Sequence, residues 1–133
     1  LKRGEDFITP EGEIVANELL TVAPPPARSF AYMTDTLFRE RFADYVRGVD
    51  LLYHEATYMN ADAVLAKESY HSTTGQAARI AELAGVGKLL LGHFSARYTE
   101  CSELLAEARE VFPNTFLCSD GDFFEVPAVK RRS

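Results

Sequence analysis

Between residues 29 and 117 short unbroken apolar runs alternate with stretches of helical spacing, and this alternation restricts the chain to a layered α/β architecture. Residues 29–34 (SFAYMT), 49–53 (VDLLY) and 88–91 (KLLL) are too short for helices and too continuously apolar for half-exposed strands. They read as strands of a parallel sheet buried on both faces by crossover helices. The intervening stretches supply the crossovers. Leu37, Phe38, Phe42, Tyr45 and Val46 predict an amphipathic helix over 37–46, and residues 61–70 predict a short or mobile one. Ser72-Thr73-Thr74 offers capping hydroxyls to a helix that stops at Gly85 in a left-handed cap, and a further helix over 99–112 is closed by Pro113-Asn114. Two last strands are expected about Asp120-Gly121. Upstream, Pro10-Glu11-Gly12 reads as the turn of an edge hairpin, and residues 23–28 (APPPAR) as a proline-rich loop, since proline can neither donate to a ladder nor sit inside a helix.

The chain has 133 residues, enough for one core, so a single domain over 1–133 is expected. A net charge of −6 excludes a broad basic surface for nucleic acid, because phosphate neutralisation by Lys and Arg dominates such binding. The one basic cluster, Lys130-Arg131-Arg132, falls in residues 128–133, read as a frayed tail. No apolar run approaches the ~18 residues of a membrane span, so no membrane partner is expected. Cys101 and Cys118 form neither a CxxC pair nor a disulfide framework, and the start lacks a secretory signal pattern, which together point to the cytoplasm.

In parallel sheets chemistry gathers beyond the carboxyl ends of the strands, and three successive strands here end in Asp35, in His54-Glu55 and in His93. With His71, these residues make an oxygen-and-nitrogen set of the kind Zn²⁺ or Mn²⁺ accepts. Asp35, standing before a helical stretch, equally suits a helix cap. His54 precedes Glu55 and points to the other side of its strand. The loop His71-Ser72-Thr73 at a helix start gathers N–H groups, hydroxyls and an imidazole, which fits either an anion site or a plain cap. Arg97 fits a phosphate fork or a salt bridge.

The ordered set Met33-Thr34-Asp35-Thr36, Asp50-Leu51-Leu52-Tyr53-His54-Glu55-Ala56-Thr57, Tyr70-His71-Ser72-Thr73 and Gly92-His93-Phe94-Ser95-Ala96-Arg97-Tyr98 resembles ribonuclease Z, the tRNA 3′-processing endonuclease of the metallo-β-lactamase superfamily. The resemblance implies half of an αββα sandwich, a mixed sheet with helices, whose N-terminal half with its HxHxDH metal motif and tRNA-binding arm is absent. It implies Asp35 and His93 as zinc ligands, two ions being held in the intact enzyme. Glu55 and His71 would be the catalytic proton-handling pair, Ser95 and Arg97 would hold substrate phosphate, and His54, Ser72 and Thr73 would support the site from behind. The implied reaction is hydrolysis of precursor tRNA by metal-activated water, leaving a 3′ hydroxyl on the tRNA body. Taken alone the chain would bind zinc weakly, leave tRNA uncleaved, and self-associate through an uncovered sheet. Two further readings stay open: a phosphodiesterase or sulfatase of the same fold acting on small esters, and a metal-free α/β interaction module.

Overall fold

A computed structural model describes residues 3–127; the Lys130-Arg131-Arg132 tail lies outside them. The described residues form two compact units, residues 3–27 and residues 28–127. In the first, strands β1 (Phe7–Ile8) and β2 (Ile14–Val15) pair antiparallel across the expected turn, where Gly12 takes φ +87° and its N–H donates to the Thr9 carbonyl. A single helical turn, α1 (Asn17–Leu20), follows, with the Asn17 N–H donating to Asp6 Oδ1 at 2.8 Å. Residues 21–29, which include the prolines, carry no helix or strand.

The second unit is built on a four-stranded parallel sheet in the order β3 (Phe30–Met33), β4 (Leu51–Glu55), β5 (Lys88–Gly92), β6 (Thr115–Leu117). Helices α2 (Ala63–Glu68), α3 (Thr74–Ala84) and α4 (Ser102–Val111) occupy the connections. Strand alternation sends Ala31, Met33, Leu52, Leu89, Leu91 and Leu117 to one face, where they meet Ala77, Ala78, Ile80, Ala81 and Ala84 of α3 in the core. The small side chains of α3 let its axis lie close to the sheet. Its amino end is fixed by a reciprocal capping box: Thr73 Oγ1 accepts from the Gln76 N–H, and Gln76 Oε1 accepts from the Thr73 N–H. Its other end stops at Gly85, φ +63°.

Three expectations are corrected. Residues 37–46 do not form an α-helix; Glu40–Val46 is a 3₁₀ helix, and its buried residues Ala43 and Val46, three apart, match the three-residue turn better than a 3.6-residue one. Among the described residues only one strand follows α4, because residues 122–127 run without pairing and leave Phe123 almost fully exposed. Nor, among the described residues, is the sheet helix-covered on both sides. The opposite face carries the row Tyr32, Tyr53, Leu90, Phe116, with Tyr32 and Tyr53 stacked at 4.5 Å and Phe30, Tyr32 and Phe116 open to solvent. Aromatic residues satisfy an apolar-run reading whether or not anything covers them.

Candidate active site at the carboxyl edge of the sheet

Because β3, β4 and β5 run parallel, their carboxyl ends share one edge, and the residues that follow them converge there. Asp35 lies two residues past β3, Glu55 closes β4, and His93 follows β5. His71 comes from the loop between α2 and α3. The backbone is bent for the purpose: Asp35 (φ +48°), Tyr70 (φ +60°) and His93 (φ +60°) are the non-glycine residues with positive φ among the described residues, and each is one of the cluster or directly precedes one. Such strain persists only where surrounding structure enforces it, and it concentrates at functional sites.

Glu55 is fully buried and organises the rest. Its Oε1 accepts from the Ser72 N–H (2.8 Å), the His71 Nδ1 (3.2 Å) and the Thr36 N–H (3.3 Å), while its Oε2 accepts from the Thr57 hydroxyl (2.7 Å) and Thr57 N–H (2.9 Å). A buried carboxylate needs such partners, and here they come from three separate segments, so the same bonds that satisfy the charge also pin the loops. The Thr57 hydroxyl spends its proton on Glu55, so at its contact with His93 Nδ1 (2.9 Å) the imidazole N–H is the donor. In the neutral ring that leaves the lone pair on Nε2, which lies 3.7 Å from Asp35 Oδ1. His71 is arranged likewise, its Nδ1 directed at Glu55 and 3.9 Å from Asp35 Oδ1, its ring 5.3 Å from that of His93.

One donor atom from each of Asp35, His71 and His93 lies within 4.8 Å of the others. A carboxylate oxygen with two imidazole nitrogens suits a divalent metal of the nitrogen-and-oxygen class, and the carboxylate-linked hydroxyl behind His93 is the orienting arrangement such ligands use. Asp35 does not cap a helix; it is exposed and open to the cluster. His71, a proton carrier in the family resemblance, also stands among the candidate ligands, as its residue type allows.

The remaining residues fall around this centre. Ser72 is buried, donates its hydroxyl to the Thr36 carbonyl and so ties the His71 loop to the segment after β3; Thr73 caps α3. His54 is buried on the far side of β4, and its Nδ1 donates to the Glu55 carbonyl at 2.7 Å. Burial pushes its imidazole below the usual value, against the opposing pull of that hydrogen bond and the Glu55 charge. The Ser95 N–H donates to the Thr57 carbonyl, and Arg97 pairs with Asp62 at 3.2 Å with its guanidinium over the Tyr58 ring. Thr57, Asp62 and Tyr98 were missed in the sequence. Thr57 stands two residues past Glu55 in a motif whose charged members carry the recognisable chemistry. Asp62 belongs to a stretch read only as helix.

The fold and this cluster define an α/β chain with a candidate metal site at a sheet edge. Residues 19–94 match the Beta-lactamase superfamily domain, and the chain belongs to that superfamily. Among curated relatives it is 52% identical over 120 residues to the Ribonuclease Z of Bacteroides fragilis (strain YCH46), covering 90% of this chain and 40% of the relative. It is 42% identical over 130 residues to the Ribonuclease Z of Phocaeicola vulgatus, covering 98% and 42%. The chain thus spans about two-fifths of the length of these relatives. Among solved structures, the metallo-beta-lactamase fold protein YhfI from Bacillus subtilis superposes with a TM-score of 0.67 at 26% identity, over 72% of this chain and 39% of that one. Human tRNase Z, short form, does so with 0.58 at 28%, over 86% and 37%. No helix among the described residues is long and apolar enough to cross a membrane.

Proposed function

We propose that this chain is the carboxyl-terminal catalytic portion of a zinc-dependent endoribonuclease that removes 3′ trailers from precursor tRNA. The convergence of Asp35, Glu55, His71 and His93 on one small volume carries the reading, together with the 42–52% identity to proteins named Ribonuclease Z. Asp35 and His93 would hold the metal, His93 with the lone pair its contact with Thr57 leaves on Nε2. Zinc bound there would supply Lewis acidity toward the phosphodiester and toward water. Glu55 keeps the His71 Nδ1–H tautomer and orientation, so that His71, when protonated, donates from Nε2 to the departing 3′ oxygen. Ser95 and Arg97 hold RNA phosphate, and His54, Ser72 and Thr73 keep the strand and loop in place.

Alone, the 133 residues give Asp35 and His93 as ligands, with His71 committed to proton transfer, so zinc is bound weakly and tRNA is not cleaved. The rest of the superfamily fold is the partner that completes the site. In its absence the open sheet face pairs with a second copy.

The test is made in the full-length protein, with precursor tRNA and a small chromogenic phosphodiester offered side by side. Glu55→Gln and His71→Ala are each expected to slow tRNA cleavage by about 10²–10⁴-fold, and chelation to abolish it. Preference for the small ester, or cleavage indifferent to His71→Ala, would overturn the reading.

A further inference from the structure

Arg97 is tied down more firmly than a phosphate ligand on a loop needs to be. Its Nη1 lies 3.2 Å from Asp62 Oδ1 and its guanidinium carbon 5.8 Å from the centre of the Tyr58 ring, whose centroid is in turn 6.4 Å from that of His71. The other Asp62 oxygen accepts the Tyr98 hydroxyl proton, and that hydroxyl accepts the Met59 N–H at 2.8 Å. The loop after β5 and the loop after β4 are thereby joined by a chain running Arg97, Asp62, Tyr98, Met59, beside the His71 loop.

Stability does not account for this chain. The Arg97 and Asp62 side chains are 45% and 31% exposed, and exposed pairs of this kind contribute little. Orientation does. A guanidinium has five N–H donors in a rigid fork, Asp62 engages one edge, and the exposed remainder stays available to an anion. Arginine otherwise loses considerable rotamer freedom when it grips a phosphate, and a side chain already held in place loses less. The hydrogen bond from Tyr98 also holds the Asp62 carboxyl below the usual carboxylate range, which keeps the anchor charged.

We propose that Asp62 and Tyr98 are positioning residues for the RNA cleavage proposed above: Tyr98 fixes Asp62, and Asp62 presents Arg97 to an RNA phosphate beside His71. The inference rests on that reading of the site.

Steady-state cleavage of precursor tRNA by the full-length protein tests it, using Arg97→Ala, Asp62→Asn, Tyr98→Phe and the double variant Asp62→Asn/Arg97→Ala. Arg97→Ala is expected to raise KM about tenfold. Asp62→Asn and Tyr98→Phe should raise KM severalfold with kcat and its pH profile unchanged, and the double variant should be no worse than Arg97→Ala alone. Losses that multiply in the double variant would assign Asp62 a role independent of Arg97 and overturn the proposal. A lower KM for Asp62→Asn would mean that Asp62 masks Arg97, and would overturn it equally. If Arg97→Ala cleaves normally, the phosphate role of Arg97 falls with the proposal, while the Glu55 and His71 assignments stand on their own variants. A wild-type protein inert toward precursor tRNA removes the proposal and the functional reading together.

Discussion

At the scale of single residues, position on the sheet edge decides what each polar group does. His54 and Glu55 are neighbours on β4, yet alternation sends one into the core side and the other toward the candidate site. His54 therefore acts on stability. Its folded imidazole is held below the ordinary value of 6.5 by burial, so the unfolded chain takes up a proton that the folded chain refuses. Stability from this group is full above about pH 6.5 and is lost as pH falls through and below that value. Urea unfolding at pH 7.5 and pH 5 should show the decline, and His54→Leu should have a shallower one. Gly92 owes its identity to a neighbour rather than to its backbone. A Cβ there would sit 2.4 Å from the Tyr53 hydroxyl, whose ring leans over it, so Gly92→Ala should destabilise by about 1–3 kcal/mol in thermal melts. This also explains the run Leu89-Leu90-Leu91-Gly92-His93: the glycine admits Tyr53, and the strained turn after it releases His93 at the rim.

Among the elements, α3 governs the site without entering it. Its first turn is held three ways. Thr73 closes the capping box and donates to Asn60 Oδ1, and the Thr74 hydroxyl and the Asn60 N–H both donate to Glu107 of α4. His71 and Ser72 stand just before this turn, so the cap that stabilises the helix also sets the imidazole. Thr73→Ala should cost about 1 kcal/mol in denaturant unfolding, and Thr73→Ser should recover most of it. The Ser-Thr-Thr stretch and Gly85 marked both ends of α3 in the sequence, because capping is local chemistry. Over 37–46 the apolar spacing predicts an α-helix because spacing alone does not separate a 3.6-residue turn from a 3-residue one; packing of Ala43 and Val46 makes the choice.

For the molecule as a whole, the sheet is the deciding object. One face is closed by α3 and its neighbours, and the other presents Phe30, Tyr32 and Phe116 to solvent. Exposed aromatic surface of this kind favours association, so sedimentation of the chain at rising concentration should show a shift from monomer to dimer, and a single monomeric species throughout would refute it. The parallel run of the strands, the ends of α3 and the turn of the first hairpin were legible in the sequence, since apolar runs, capping hydroxyls and turn glycines act over a few residues. So was the list of chemically capable side chains at strand ends, and the ordered motifs linked Asp35, Glu55, His71 and His93 by resemblance. Only the tertiary structure brought those four within reach of one another, routed the Glu55 carboxylate through Thr57 to His93, and turned Arg97 onto Asp62. The reason is range. Hydrogen bonds and ion pairs between loops depend on distances set by strand register and helix packing, which no single stretch of the chain encodes.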